Sequence, residues 1–344
     1  MRYFRNESSA VRTEVCLTVD VEFSIAGAFA DPANFPPLSD PAVRCDVGGK
    51  EHGLGFILEM LAAYRATATF FVEALNPAYF GDDPMKRVAH RILSAGHDVQ
   101  LHLHPCWLQF LKPDWPKHIN GDPNDSCAGR TQAELNAIIG GGIAAFERWS
   151  IPAPIAVRAG NLQADLACYD ALQRFGIPLA SNLGIGSFCP SEPILQLHGG
   201  RHRINGVVEV PVLSYKDLRL PGRDRQRVLS ITSTSWPEMK SLLWQVRRAD
   251  ISPVVVLTHP HEFVKQRGFR FEGLRRNRVN QTRLVRLLRF IRTHDEDFTT
   301  VTFGDSVDRW LATEGTGDPS LNVPPWLALG RMVHNRLNDL IPAY

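Results

Sequence analysis

Along this chain, short apolar runs alternate with longer stretches in which apolar residues return every three or four positions. The short runs read as strands: one over about 15–22, Thr67–Val72, a run ending in His102 and His104, Ile155–Asn161, Ile177–Ser181, Val207–Leu213, Val254–Thr258 and Phe298–Phe303. Helical spacing links Leu54, Ile57, Leu58 and Leu61, and predicts further helices over Arg87–Ala95, Ala164–Phe175, Pro237–Arg248, Gln281–Thr293 and Asp305–Ala312. Gly96 closes the second of these as a C-terminal glycine does. Thr131-Gln-Ala-Glu134 has the capping-box pattern and starts a helix through Leu135, Ile138, Ile139, Ile143 and Phe146, which Gly140-Gly-Gly142 is expected to weaken. Strand–helix alternation with polar residues at strand ends predicts a parallel α/β architecture, a barrel with its site at the C-terminal rim.

Three strands end in pairs of ionisable residues spaced i, i+2: Asp20 and Glu22, His102 and His104, and His259 and His261. Side chains alternate across a strand, so each pair shares a face. Carboxylates and imidazoles gathered this way suit metal-assisted hydrolysis. Asp20 and Glu22 offer a general base and a ligand carboxylate side by side, against the plainer reading of two capping acids. The spacing of His102 and His104 lets both imidazoles reach one ion, with Cys106 close enough to substitute as a soft ligand. His97, after Gly96, is read as structural, hydrogen-bonding the turn. His259 is the candidate general acid, and His261 and Glu262 either orient it or contact substrate. Arg158, at the end of its own strand, can hold a catalytic carboxylate ionised. Glu209, an acid in a buried strand, needs a partner, which His259 or Arg158 would supply.

Two segments read as loops over the site: the Pro-rich 30–41 and the long 105–130, which reads as a lid or substrate-binding segment. In the latter, Trp107 and Trp115 can offer a stacking surface or pack into the core. The boundaries are an N-terminal extension over 1–14, the barrel over 15–312, and a tail over 313–344 holding one amphipathic segment, Trp326–Leu340.

A net charge of +2 argues against bulk attraction to nucleic acid or an anionic membrane. The arginines from Arg267 to Arg292 read mostly as the solvated face of a helix whose apolar face is Leu284, Leu287, Leu288 and Ile291. No run reaches a transmembrane length and the start lacks an apolar signal core, so the expected location is cytoplasmic. The six cysteines form no CxxC pair and fit a reduced compartment, with Cys16 and Cys168 as small buried hydrophobes. Oligomeric state is open.

The order of motifs resembles the NodB-homology polysaccharide deacetylases, carbohydrate esterase family 4. Thr18-Val-Asp-Val-Glu22, Ala68-Thr-Phe-Phe-Val72, Ala95-Gly-His-Asp-Val-Gln-Leu-His102, Arg158-Ala-Gly160, Glu209-Val-Pro211 and Leu257-Thr-His259 are similar to its motifs in order, from Val15 to Trp310. The resemblance implies a distorted (β/α) barrel of seven parallel strands with long loops over the C-terminal rim. It also implies removal of an N-acyl group, acetyl or formyl, from a sugar with a divalent metal, Zn²⁺ foremost. Carried over, Asp20 would be the base, His102 a metal ligand, Arg158 the positioner of the base, and His259 the proton donor to the leaving amine.

Two departures matter. Val21 stands where the family has a second aspartate, so the ligand carboxylate is Glu22 or Asp20 itself. Cys106 stands where the second histidine belongs, which makes His104 the alternative ligand. This variant looks like the unusual-sugar deacetylases of bacterial surface-polysaccharide biosynthesis, whose substrate would be a nucleotide-linked or lipid-linked sugar precursor. The rival readings are a metal-independent amidohydrolase acting on a non-sugar C–N bond and a non-catalytic glycan-binding protein.

Overall fold

Seven hydrophobic strands run parallel in one path and curl around an apolar centre. The computed structural model describes residues 11–118, 123–220 and 223–340, so most of the expected N-terminal extension lies outside the described residues. The main sheet comprises β1 (Thr13–Val21), β2 (Thr69–Glu73), β3 (Asp98–Leu103), β4 (Ala156–Ala159), β5 (Leu179–Ala180), β6 (His202–Ile204), β7 (Val207–Glu209), β8 (Val254–Thr258) and β9 (Phe298–Thr300). Its order is β8-β1-β2-β3-β4-β5-β7-β6, with β9 paired to β1. The sheet therefore holds nine strands. The two beyond the parallel path are β6, antiparallel to β7, and β9, parallel to the first residues of β1. Between β7 and β8 the ring is joined by isolated parallel bridges, Val212 to Val255 and Ser230 to Leu257.

Alternation along each strand sorts the core into two layers. Cys16, Phe71, Ala156, Leu179, Val208 and Val255 point inward, and Phe303 and Trp310 join this cluster. Val15, Leu17, Val19, Phe70, Val72, Leu101 and Val157 point outward under the helices. Strands buried on both faces read as continuous Val and Leu runs, as Val254-Val-Val-Leu does. Register then sets the level of the rim. Asp20 lies opposite Phe71, Glu73 opposite His102, His102 opposite Arg158, and Val19 opposite Thr258.

The longer helices are α1 (Leu54–Tyr64), α2 (Asp83–Ser94), α3 (Gln132–Trp149), α4 (Leu166–Arg174), α5 (Trp236–Arg248), α6 (Arg278–Thr293), α7 (Phe303–Ala312) and α8 (Pro325–Leu340). The capping box at Thr131 and Glu134 forms as the pattern predicts. The glycines do not interrupt α3, and Gly142 has a packing reason. A Cβ there would come within 2.8 Å of Leu101 Cδ1 and 2.9 Å of Leu103 Cδ2. Gly142→Ala is thus expected to lower stability in urea unfolding by about 1–3 kcal/mol, although alanine gains about 1 kcal/mol of helix propensity. A net gain would show that the two leucines yield at no cost.

An antiparallel hairpin, Ser214–Leu220 with Arg223–Val228, has no counterpart among the elements that the hydrophobic pattern predicts. Its strands are polar, and charge holds it in place. Arg331 of α8 donates to both oxygens of Asp217 (2.7 and 2.6 Å) and to Glu238 of α5 (3.0 Å), with all three side chains buried. Most of the arginines from Arg267 to Arg292 are exposed, as the solvated-face reading expects, and Arg283 is the exception. It is buried, and it donates to the carbonyls of Ile231 and Thr232 and to Asn335. The six cysteines are free, Cys16 and Cys168 buried among them. Among the described residues, no helix is long and apolar enough to cross a membrane.

Candidate active site

The rim gathers Asp20 and Glu22 at the end of β1, His102 and His104 at the end of β3, Arg158 from β4, and His259 and Glu262 after β8. Arg158 is fully buried, its guanidinium 4.2 Å above the Phe71 ring. It donates to Asp20 Oδ1 at 2.6 Å, to Thr18 Oγ1 at 2.9 Å, and to the Ser181 hydroxyl and carbonyl at 2.7 and 3.1 Å. Asp20 Oδ2 instead faces His102 Nε2 at 4.0 Å and His259 Nε2 at 3.9 Å. One oxygen of Asp20 is held and the other looks into the cluster.

The two histidines at the end of β3 are oriented from behind. His102 Nδ1 lies 2.8 Å from the Arg158 carbonyl, and His104 Nδ1 lies 2.6 Å from Asp125 Oδ2. Both partners only accept, so Nδ1 donates in each ring and Nε2 is the nitrogen left to face the cluster. Those two Nε2 atoms converge on Glu22 Oε1, at 2.9 Å from His102 and 3.2 Å from His104. Acceptors facing one another call for a proton or a cation between them. His104 Nε2 is buried without a hydrogen bond of good geometry. Two imidazoles and one carboxylate within 4.8 Å of one another therefore fit a divalent cation.

Charge follows the same geometry. Burial opposes ionisation of both Glu22 and His104. Their mutual attraction, with hydrogen bonds from His102 to Glu22 and the charge of Asp125 on His104, outweighs it. Glu22 is held well below the usual carboxylate range and His104 well above the usual imidazole range. For His259, burial is likewise overcome by the hydrogen bond and charge of Glu262, 3.0 Å from Nδ1, which lift it to about 9. Thr258 donates to the other oxygen of Glu262. His261, whose ring lies 5.1 Å from that of His259, is pushed down by burial and by the His259 charge.

A cavity of about 280 Å³ opens onto the cluster, with Glu22, His104, Asp125, Trp107, Asn161 and His261 among its walls. Trp107 offers it an edge only. It is 1% exposed and packs against Phe80 and Phe110, so it is no open stacking platform. The Pro-rich 30–41 stretch folds back to pair Leu38 with Ser24, one of the cavity residues.

Glu209 is not in this cluster. Val208 and Val210 face the barrel interior, so alternation turns Glu209 outward, where it accepts from Tyr169 and from the amides of Asn182 and Leu183 instead of meeting His259 or Arg158. Burial lifts its pKa to about 7. His97 packs against Phe70 and its amide donates to the Ile92 carbonyl at 3.3 Å across the turn, while among the described residues its buried Nδ1 has no hydrogen-bond partner. Cys106 gives Asp125 a backbone hydrogen bond of 3.1 Å, and burial, with the Asp125 charge, raises its thiol well above the usual range. It groups with His104 and Asp125, not with the three donors around Glu22.

Sequence reasoning missed Asp125 and Glu73. Nothing along 105–130 distinguishes the one acid that folds back onto His104. Glu73 did carry a signal, since it ends the Thr67–Val72 run as Asp20 ends its own. It is buried, accepts from the amides of Leu75 and Asn76 at 2.7 Å each, and is lifted to about 8 by burial.

No family model matches the sequence, and no curated protein matches it. Among solved structures, the chain is similar to a "putative polysaccharide deacetylase" from Mycobacterium smegmatis, with 17% identity and a TM-score of 0.51 over 90% of this chain and 94% of that one. A family 4 carbohydrate esterase from Streptomyces lividans, in complex with acetate, aligns at 10% identity and a TM-score of 0.44 over 90% of this chain and 98% of that one. The first likeness shows a shared fold, in line with the barrel that the sequence resemblance implied. The second is too distant to add to it.

Proposed function

We propose that this protein is a divalent-cation-dependent hydrolase that removes an N-acyl group, acetyl or formyl, from a sugar. The observation that carries the reading is the convergence of the Nε2 atoms of His102 and His104 on one oxygen of Glu22, beside Asp20 with one oxygen turned to the cluster. Glu22, His102 and His104 would hold the cation, and Zn²⁺ suits two imidazoles and a carboxylate. When bound, it would supply Lewis-acid polarisation of the acyl carbonyl.

The remaining steps belong to the chain. Arg158 fixes Asp20 through Oδ1, leaving Oδ2 to take a proton from the attacking water. His259, cationic at neutral pH and held through Nδ1 by Glu262, turns Nε2 toward the cluster and gives its proton to the departing nitrogen. Asp125 keeps His104 in the right tautomer. His261 and the Trp107 edge bound the cavity where the acylated sugar would sit. The acid-x-acid first motif and the His-x-His pair support placement among unusual-sugar deacetylases, with a nucleotide- or lipid-linked precursor of a bacterial surface polysaccharide as substrate.

Elemental analysis tests this on purified wild type, His102→Ala and His104→Ala. About one zinc-like ion per chain in wild type, lost in both variants, is the expected result. Loss in His102→Ala alone would move the third donor to Cys106. An ion-free wild type that takes none up would overturn the metal mechanism and favour a metal-free amidase or a glycan-binding protein.

A further inference from the structure

Helix α8 is engaged on one face and bare on the other. Ala328, Arg331 and Asn338 turn inward and are buried. On the other side Trp326, Leu329, Val333 and Leu337 recur at i, i+3, i+7 and i+11 and stand 70%, 55%, 60% and 41% exposed. A row of large apolar side chains held out in water on one helix marks a docking surface. Beside it lies a second cavity of about 440 Å³, whose walls include Trp236, Arg278, Arg283, Arg286 and His334 and no carboxylate. The side chains of Arg278, Arg286 and Arg336 make no hydrogen bond or ion pair among the described residues. Glu238, an acid nearby, is already committed to Ser235 and Arg331. Besides burial, the charges of Arg283 and Arg286 push the His334 imidazole down.

We propose that α8 is an interfacial helix that seats the protein on an anionic lipid surface, its Trp326–Leu337 stripe in the acyl boundary and a lipid phosphate in the cavity of Arg278, Arg286 and His334. An apolar stripe flanked by arginines is the chemistry of helices that lie in the plane of a bilayer without crossing it. Local clustering makes this compatible with a net charge of only +2. The surface lies near the catalytic cluster. Asn280, on the same helix as the cavity arginines, donates to the Glu262 carbonyl at 2.7 Å, and Glu262 holds His259.

The test is co-sedimentation of the full chain with phosphatidylcholine vesicles, with and without phosphatidylglycerol, at low and high salt. Two variants run beside wild type, Arg278→Gln/Arg286→Gln and Trp326→Ser/Val333→Ser. All four positions lie outside the catalytic cluster. Expected is binding to the anionic vesicles only, weakened by salt and lowered about tenfold or more in each variant. Titration with inorganic phosphate separates the sources. Binding of free phosphate without vesicle binding would overturn the lipid assignment. So would vesicle binding that both variants retain, or a wild-type dimer in light scattering that Trp326→Ser/Val333→Ser dissociates while no vesicles are bound.

Discussion

Asp20→Asn is expected to lower turnover of an N-acetylated sugar by about 10²- to 10⁴-fold while the bound cation stays in place. Asparagine keeps the shape of the side chain, and its amide oxygen can still accept from Arg158. What disappears is the second oxygen, the one that faces His102 and His259 at 4.0 and 3.9 Å. An amide nitrogen in that position donates instead of accepting and takes no proton from water. Glu22, His102 and His104 are untouched, so cation content measured on the same sample separates lost proton transfer from a collapsed site. Full activity in the Asp20→Asn variant would require another base, and the proposed mechanism would be wrong at its first step.

Arg158→Leu is expected to cost about 3–5 kcal/mol in urea unfolding, the range found when one partner of a buried ion pair is removed. The guanidinium is inaccessible to water and its donors serve Thr18, Asp20 and Ser181. Leucine fills part of the volume but strands Asp20, which is 4% exposed, with no cation on its inner oxygen. The double variant Asp20→Asn/Arg158→Leu removes both charges, so its cost should fall clearly short of the sum of the single costs. Additive costs would mean that the two residues support the rim independently, and Arg158 would no longer be the holder of the base.

The fold was legible because strands buried on two faces leave unmistakable Val and Leu runs, and because i, i+2 spacing puts Asp20 with Glu22 and His102 with His104 on one face whatever the surroundings. Register was not legible. Nothing in the sequence says that His102 sits opposite Arg158, and this pairing lets the Arg158 carbonyl set the tautomer of His102. Glu209 shows the cost of one step in phase. An acid in an apolar strand announces burial, but only the inward turn of Val208 and Val210 decides that it meets Tyr169 and not Arg158. Asp125 and Arg283 failed for a common reason. Each is an ordinary polar residue in a polar segment, and its role comes from a contact far away in sequence. The Ser214–Val228 hairpin escaped because its strands are held by buried charge pairs, which leave no hydrophobic period.

The ion pairs of Arg331 change where this molecule can be cut. The helix α7 ends at Ala312, and a tail that starts beyond it invites trimming. Asp217 and Glu238 are both buried, however, and both hold Arg331 as a close positive partner. A chain ending before α8 would take that cation from both carboxylates, leaving Asp217 with Arg227 at 3.9 Å. Barrel, hairpin and C-terminal helix are thus expected to melt as one cooperative unit. An expression clone ended after α7 would deliver an aggregation-prone fragment, not a smaller enzyme.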